Sequence, residues 1–263
     1  MDNTNTLSPP SCVIDFPNND LNTKDFDWKN KGYKMTSISG YNLTDPVFAA
    51  VWDSRNGNEY TFKTDMTSPE FQQEFDNWKT KGWWLQWVDG YEKNGEIMYA
   101  AIWENSENPE YFSRHGLSPE QFEETCTEFT AQGFSPVHIS GYSTNGTSWF
   151  AGIWHKNSGT PTNFNCDLTL DSFEEFNTEM INKGMTLHSL NGWITNDEPK
   201  FAGVWTETNE NTNKYDIALP AEDFEVTRQE MWKLGFHPVS VCGYTYRDKN
   251  FFTVIWRDWE KEN

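Results

Sequence analysis

Aromatic and polar side chains that could form a ligand site lie in the middle of this 263-residue sequence. The candidate ligand-binding residues are Trp84, Trp87, Asp89, His138, Trp149 and Asn191. An indole ring has a broad apolar face and one N–H donor, so it can stack on a sugar ring or another flat ligand. The polar candidates would supply hydrogen bonds beside it. This combination predicts recognition of a glycan or another polymer.

A second interpretation of the same region is catalytic. His138 could act as a base, with Asp89 to orient it and Ser240 as a hydroxyl group in the same cavity. The sequence contains no Ser-x-x-Lys, Gly-x-Ser-x-Gly, His-Glu-x-x-His or phosphate-binding glycine loop. No two of the five histidines have metal-ligand spacing on one element. We therefore expect no metal and no cofactor, and we favour binding over catalysis.

A template that repeats five times must position these residues. Its first glycine recurs every 50 or 51 residues, and a second glycine follows eight residues later in each copy. The pairs are Gly32 and Gly40, Gly82 and Gly90, Gly133 and Gly141, Gly184 and Gly192, and Gly235 and Gly243. A tryptophan closes each copy, at Trp52, Trp103, Trp154, Trp205 and Trp256. Repetition of this kind is typical of arrays whose units stack on each other.

Each copy is predicted to fold as β-α-β-β. A short apolar strand precedes a helix with apolar residues at i, i+3 or i+4, and i+7, as in Phe122, Cys126 and Phe129. Ser118 and Gln121 form a capping-box pattern, and Ser68 is expected to cap the second helix. Two strands complete the copy. The predicted units are 12–58, 59–109, 110–161, 162–212 and 213–257, between a tail at 1–11 and a tail at 258–263.

The fold class is therefore α+β, built from five tandem units in one domain. The chain begins with a strand that has no earlier partner and ends shortly after Trp256. Those two ends could complete each other, so we favour a propeller-like ring or torus over an open solenoid. Cys126 is expected to be a buried thiol, while a disulfide such as Cys12–Cys166 is an open alternative.

Departures from the template single out the candidate ligand residues. Trp87 stands where the other copies have Ser37, His138, Ser189 and Ser240, which indicates a wet surface. Asp89 and Asn191 occupy the slot just before the second glycine. Alternation along a strand places that slot on the same face as the Trp87 slot. The alternative is a local packing exchange between units. The closing tryptophans, Trp28 and Trp78 are expected to be core residues.

The net charge and the hydropathy of the sequence limit the kinds of binding partner that we expect. The formal charge of −20 makes nucleic acid an unlikely ligand, and no apolar run is long enough to cross a bilayer. The N-terminal residues show no signal-peptide pattern. We expect a soluble protein, either cytoplasmic or secreted as a mature form.

The template also resembles a known family. The runs Phe112–Phe122, Ala131–Val137, Ile139–Tyr142 and Phe150–Trp154 are similar to the bacterial tandem repeat domain, which is also found in the N-terminal region of fungal polyglycine hydrolases. The resemblance extends over residues 12 to 257 and implies tandem repeats in a torus. In polyglycine hydrolases the chemistry belongs to a separate β-lactamase-like domain with a Ser-x-x-Lys motif. Because this sequence lacks that motif, the resemblance does not carry the hydrolase activity to these residues.

The sequence thus predicts a non-catalytic repeat module that binds a glycan or another extracellular polymer. Two alternatives are an enzyme with its site in the central cavity of the ring and a structural protein that associates with its own copies. A shifted histidine titration beside a carboxylate would favour the enzyme. Concentration-dependent mass in solution would favour self-association.

Overall fold

Five units of similar structure make up the protein. The computed structural model describes residues 9–54, 58–107, 109–156, 160–207 and 213–258. Most of the predicted N-terminal tail, residues 1–8, and nearly all of the predicted C-terminal tail, residues 259–263, lie outside these ranges. Each unit contains a first strand, a helix, a second strand and a third strand, in the predicted order.

The bounds of the elements are as follows. Unit 1 contains β1 (Ser11–Pro17), α1 (Asn18–Lys29), β2 (Lys34–Tyr41) and β3 (Val47–Asp53). Unit 2 contains β4 (Glu59–Met66), α2 (Ser68–Thr80), β5 (Trp84–Lys93) and β6 (Glu96–Asn105). Unit 3 contains β7 (Tyr111–Leu117), α3 (Pro119–Ala131), β8 (Phe134–Thr144) and β9 (Thr147–Lys156). Unit 4 contains β10 (Thr162–Leu168), α4 (Leu170–Asn182), β11 (Met185–Thr195) and β12 (Glu198–Glu207). Unit 5 contains β13 (Asn213–Pro220), α5 (Ala221–Lys233), β14 (Phe236–Tyr246) and β15 (Lys249–Asp258).

Each unit forms its own three-stranded antiparallel sheet. The third strand lies in the middle and pairs with the first strand on one side and the second strand on the other. In unit 1, for example, Trp52 stands opposite Ser11 on β1 and opposite Met35 on β2. The mostly β architecture with one helix per unit agrees with the predicted β-α-β-β unit.

The helices begin and end where local chemistry requires. Ser118 accepts a hydrogen bond from Gln121 N at 3.3 Å, and Gln121 accepts one from Ser118 N at 2.9 Å, which confirms the capping box of α3. In α2 the N-cap is Thr67 and not Ser68, because the side chain of Glu70 reaches back to Thr67 N at 2.8 Å. After each helix the first glycine of the template takes a positive φ of 76° to 83°, a conformation that costs glycine little.

The closing tryptophans form the core of the units. Their side chains are buried in all five units, and burial of a ring of this size contributes about 4–6 kcal/mol of transfer free energy. Two helices contribute a polar anchor to this core. Trp52 donates its indole N–H to Asp25 at 3.1 Å, and Asp25 also accepts from Tyr60 of the next unit. Trp205 makes the equivalent bond to Asn177 at 2.8 Å.

Neighbouring units meet through their second strands, and the second glycine of the template explains how. A Cβ built on any of these five glycines would come within 3.1 Å of an aromatic ring from another unit. The covering residues, for Gly40, Gly90, Gly141, Gly192 and Gly243 in turn, are Tyr91, Tyr142, Trp193, Tyr244 and Tyr41. The last pair joins unit 5 to unit 1. A glycine is needed here because a side chain would displace the ring.

Two further expectations concern the cysteines and the membrane. Cys12, Cys126, Cys166 and Cys242 are all free thiols, and Cys126 is buried in the helix–sheet core as predicted. The Cys12–Cys166 alternative is therefore not realised. Across the described residues, no helix has the length and apolar character needed to cross a bilayer.

Candidate functional site

A bulge at the same place in every second strand builds the candidate site. The register against the third strand shifts by one residue between Leu85 and Trp87, and it does so at the equivalent place in the other four units. The bulged residues are Thr36, Gln86, Val137, His188 and Val239. A bulge bends its strand and re-aims the neighbouring side chains. All five bulged residues line one recess, which we call the bulge recess.

The bulge recess has a volume of about 320 Å³ and is lined by contributions from several units. The residues that follow the bulge in units 2 to 5 also face it, and these are Trp87, His138, Ser189 and Ser240. Trp84 and three residues from third strands, Asp53, His155 and Arg257, complete the wall. The recess therefore combines two indole rings with imidazole, hydroxyl, amide and charged groups.

Two tryptophans of unit 2 are held by hydrogen bonds at the wall. Trp87 donates its indole N–H to Ile38 O of unit 1 at 2.8 Å, and its ring centre lies 4.0 Å from that of His138. Trp84 donates to Ser106 at 2.8 Å, and its ring meets His155 edge to face at 5.6 Å. Both side chains are half-buried. These contacts fix the orientation of each indole while part of its surface stays open to the recess.

His138 is buried and has both ring nitrogens near a partner. Its Nε2 lies 2.7 Å from Val88 O, and its Nδ1 lies 3.4 Å from the hydroxyl of Ser189. A carbonyl can only accept, so Nε2 carries the proton and Nδ1 accepts. Burial lowers the pKa of His138 to about 4. The imidazole is therefore neutral at pH 7.

The pKa values of the two other imidazoles of the recess, those of His155 and His188, are also lowered. Burial lowers the pKa of His155. The side chain of His188 is exposed in the recess, and desolvation by the surrounding walls, followed by the positive charge of Arg257, lowers its pKa. The guanidinium of Arg257 lies 3.4 Å from His188 Nδ1. At neutral pH the three rings offer hydrogen-bonding groups without adding positive charge.

Beneath the bulge recess lies a layer of five polar side chains from the five second strands. This polar layer consists of Ser39, Asp89, Ser140, Asn191 and Cys242, each at most 4% exposed. Four of them accept a hydrogen bond from a second-glycine N–H of another unit. The bonds are Gly40 N to Asp89 at 2.9 Å, Gly90 N to Ser140 at 3.0 Å, Gly141 N to Asn191 at 2.9 Å and Gly243 N to Ser39 at 3.1 Å. The thiol of Cys242 lies 3.6 Å from Gly192 O.

Asp89 is the one carboxyl group of the polar layer. Burial raises its pKa to about 7, against the opposing effect of hydrogen bonds from Gly40 and Ser140. The hydroxyl of Ser140 donates to its Oδ1 at 3.2 Å. On the far side of the layer a smaller cavity of about 70 Å³ lies against the second glycines and their aromatic neighbours. The polar layer therefore separates this cavity from the bulge recess.

The structure groups the predicted site residues into three places. Trp84, Trp87, His138 and Ser240 line the bulge recess. Asp89 and Asn191 lie in the polar layer, where they bond to backbone and to neighbours in the layer. Trp149 lies apart from both and, half-buried, packs against the core cluster of units 2 and 3. Its equivalents are Val47, Met98, Lys200 and Phe251, so this slot is mostly apolar.

The hydrogen bonds of His138 and Asp89 and the pKa of His138 can be compared with what the catalytic interpretation of Asp89, His138 and Ser240 requires. The hydrogen bonds of His138 go to a carbonyl and to Ser189, whereas Asp89 bonds to Gly40 and Ser140. In acid–base catalysis an effective base has a pKa near the working pH, and the pKa of His138 lies well below neutrality. This arrangement suits a fixed hydrogen-bonding wall better than a proton-transfer site.

Sequence reasoning missed the five bulged residues and three others of the recess: Asp53, His155 and Arg257. Gln86 and His188 reach the recess because of the bulges, which strict alternation along a strand does not predict. Asp53, His155 and Arg257 directly follow the closing tryptophan of their units. The position after the closing tryptophan holds charged or polar residues in all five copies. A comparison of this position between copies would have identified these three residues as candidates. Within the described ranges, no group of three or more His, Cys, Asp or Glu residues could hold a metal ion.

Comparison with known proteins agrees with the repeat. A family model described as a polyglycine hydrolase-like structural repeat matches the chain in five consecutive segments. The segments are residues 14–55, 57–106, 108–157, 159–208 and 217–259. They follow the five units and extend over most of the chain, which confirms the resemblance found from the glycine and tryptophan template. No curated protein matched the sequence.

Proposed function

The chain belongs to the polyglycine hydrolase-like structural repeat family, and we propose that it is a non-catalytic module that binds a glycan in the bulge recess. The observation that carries this proposal is the position of two indole rings, Trp84 and Trp87, in a polar wall. Sugars are bound by such walls because their C–H faces stack on aromatic rings while their hydroxyl groups exchange hydrogen bonds with polar side chains.

The polar partners of the wall suit an uncharged ligand. The imidazoles are neutral at pH 7, and the charged lining residues include both Asp53 and Arg257. A polyanion such as nucleic acid would also meet the repulsion of a chain with net charge −20. The same charge opposes the close approach of a second copy, so we favour ligand binding over self-association.

The proposal includes closure of the five units into a propeller-like ring. Three contacts between unit 5 and unit 1 support it. Gly243 N donates to Ser39 at 3.1 Å, Tyr41 covers Gly243, and Asn250 donates to Asp15 at 2.7 Å. The first two repeat the contacts that join consecutive units, such as Gly40 with Asp89 and Tyr91. In such a ring, the bulge recess would open at one end of the central axis around which the five units are arranged.

Binding to a glycan array tests the function. The labelled protein is applied to neutral, acidic and amino glycans and to peptidoglycan fragments, together with Trp87→Ser. Serine is the residue that units 1, 4 and 5 carry at this slot, so the substitution is compatible with the fold. We expect the wild type to bind a neutral glycan and the variant to bind it about tenfold more weakly, because one stacking platform is lost.

A matched control is Trp232→Ser. Trp232 is 48% exposed on α5 and does not line the bulge recess, so this variant should bind like the wild type. Absence of wild-type binding to every glycan would reject the proposal. Equal loss in the two variants would reject the bulge recess as the site.

A further inference from the structure

The bulge recess continues outward as a groove between unit 1 and unit 2. It shares Thr36, Asp53, Trp84 and Gln86 with a second depression of about 730 Å³. That depression in turn shares Lys34 and Asn58 with a third depression of about 570 Å³. The three depressions adjoin one another through these shared wall residues, and together we call them the seam groove. It leads from the recess to the outer part of the two units.

Three tryptophans mark successive positions along the seam groove. Trp87 lines the bulge recess, Trp84 lines both the recess and the middle depression, and Trp83 lines the outer one. Trp83 is itself supported by Trp78, with ring centres 4.9 Å apart. All three side chains along the groove are half-buried. The groove thus offers an aromatic contact at its inner end, middle and outer end.

The three tryptophans are particular to unit 2. The slots of Trp83 and Trp84 hold Tyr33 and Lys34 in unit 1, Phe134 and Ser135 in unit 3, Met185 and Thr186 in unit 4, and Phe236 and His237 in unit 5. The fold therefore does not require indole rings here, since the same slots in the other units accept smaller or polar side chains. A ligand that stacks on several rings in a row explains why one unit carries all three.

The charges along the groove favour an uncharged ligand. Lys34 and Glu104 form an ion pair at 2.6 Å, and Asn58 donates to the same carboxylate at 2.7 Å. Both members of the pair are 3% exposed, so their charges cancel within the wall. Asp53, Glu59 and Glu107 add negative charge to the lining, and Arg257 and Lys29, the latter paired with Asp25, add positive charge. A polyanion would be repelled, whereas a chain of hydroxyl groups would find donors and acceptors along the wall.

The inner end of the groove is closed. The polar layer is at most 4% exposed and lies between the bulge recess and the small cavity beyond it. A polymer cannot thread through this layer, so one of its ends must stop in the recess. A site that is blind at one end and open at the other selects chain ends over internal segments.

We infer that the seam groove binds the end of a linear, neutral polysaccharide, with its terminal residue in the bulge recess and the following residues over Trp84 and Trp83. This inference rests on the proposed function and specifies the ligand: a linear chain, uncharged, and recognised by its terminus. Each residue that reaches a further ring should raise the affinity about threefold to tenfold, which corresponds to one aromatic stacking contact.

Titration calorimetry with oligosaccharides of graded length tests the inference. The probes are β-1,4-linked oligomers of glucose, of mannose and of N-acetylglucosamine, from one to six units, and a cyclic glucan that has no ends. For the wild type we expect the affinity to rise with length until the groove is filled and then to level off. The cyclic glucan should bind at least tenfold more weakly than the best linear oligomer.

Two variants locate the residues of the ligand along the groove. Trp84→Ser, which introduces the residue of unit 3, should abolish the gain from the second sugar and retain the affinity for the monosaccharide. Trp83→Phe, which introduces the residue of units 3 and 5, should reduce the gain from the third sugar. Circular dichroism checks that each variant is folded, and the second variant keeps the test valid if the first does not fold.

The outcomes separate this inference from the proposed function. Affinity that is independent of length, or equal binding of the cyclic glucan, would overturn recognition of a chain end in the seam groove, while binding that requires Trp87 would uphold the recess as a glycan site. Failure of all these oligomers to bind would overturn this inference, whereas the proposed function is overturned only if no glycan of the array binds.

Discussion

The ring of Tyr41 lies over the α-carbon of Gly243, where a methyl group would overlap it. This contact joins residues 202 positions apart and repeats the packing of Tyr91 on Gly40 between consecutive units. It makes the junction between units 5 and 1 as specific as the others.

The first prediction concerns Gly243→Ala. The added methyl group must push Tyr41 away, so we expect a loss of about 2–3 kcal/mol in the free energy of unfolding, as for other overpacked sites. Urea denaturation measures it. In a Tyr41→Ala background the same substitution should cost much less, because the overlapping ring is gone. An equal cost in the two backgrounds would show that units 5 and 1 do not pack through this pair in solution.

The second prediction concerns pH and Asp89. Burial raises the pKa of Asp89 from 3.8 to about 7, so between these values the native state holds a proton that the unfolded state has lost. The contribution of Asp89 to stability is thus present below pH 4 and is lost as the pH rises to 7. In the Asp89→Asn variant this side chain cannot ionise, so the variant does not lose this stability as the pH rises. We expect the variant to gain about 2–4 kcal/mol relative to the wild type between pH 4 and pH 8.

Urea unfolding across this pH range measures the difference between the two proteins. Asp45→Asn, at an exposed position in the turn between β2 and β3, controls for the loss of one negative charge. A constant difference between wild type and Asp89→Asn at all pH values would mean that Asp89 does not titrate inside the folded protein in this range.

The third prediction concerns the buried ion pair at the seam between units 1 and 2. Lys34→Met leaves Glu104 without its cation in a site that is 3% exposed, and we expect a loss of about 3–5 kcal/mol. Replacement of both residues by Met should recover part of this loss, because no unpaired charge is left. Lys63→Met breaks the more exposed pair with Glu74 and should cost about 1 kcal/mol or less. Equal losses for Lys34→Met and Lys63→Met would contradict the burial of the seam pair.

The fourth prediction separates two tryptophans that the sequence placed in one group. Trp149 is half-buried against the core cluster that contains Tyr142 and Ile153, so Trp149→Ala should reduce stability by about 2–4 kcal/mol and leave glycan affinity unchanged. Trp87→Ser should reduce affinity and cost about 1–2 kcal/mol of stability, because three other units carry serine at this slot. Thermal unfolding and calorimetric titration of both variants measure the two effects. Loss of affinity in Trp149→Ala would place this residue at a site.

The repeat made much of the fold predictable. A single copy of the template is ambiguous, but five copies show which glycines, aromatic residues and helix stripes are required by packing. The strand and helix order, the buried tryptophans and the capping box of Ser118 follow from local chemistry that the sequence displays.

The candidate site was less predictable because it depends on shifts of a single residue. Period-two alternation placed Trp87 and Asp89 on one face, whereas in the structure Trp87 lines the recess and Asp89 lies in the polar layer and lines the smaller cavity. Alternation does not show the bulge at Gln86, which turns this residue and His188 toward the same cavity. Nor does composition distinguish Trp87 from Trp149. The distinction is visible when equivalent slots are compared, since the first slot is polar in the other units and the second is mostly apolar.

The bulge lies at the same position in all five second strands, which has a consequence for the substitutions that the protein can accept. Units 2 to 5 each contribute two adjacent side chains of the second strand to the recess and unit 1 contributes one, whereas the glycine and aromatic contacts that hold the units together lie further along the strand. Framework and lining are thus encoded by different positions of one short strand. Substitutions in the lining would change the chemistry of the recess one unit at a time and would leave in place the glycine and aromatic contacts that join the units.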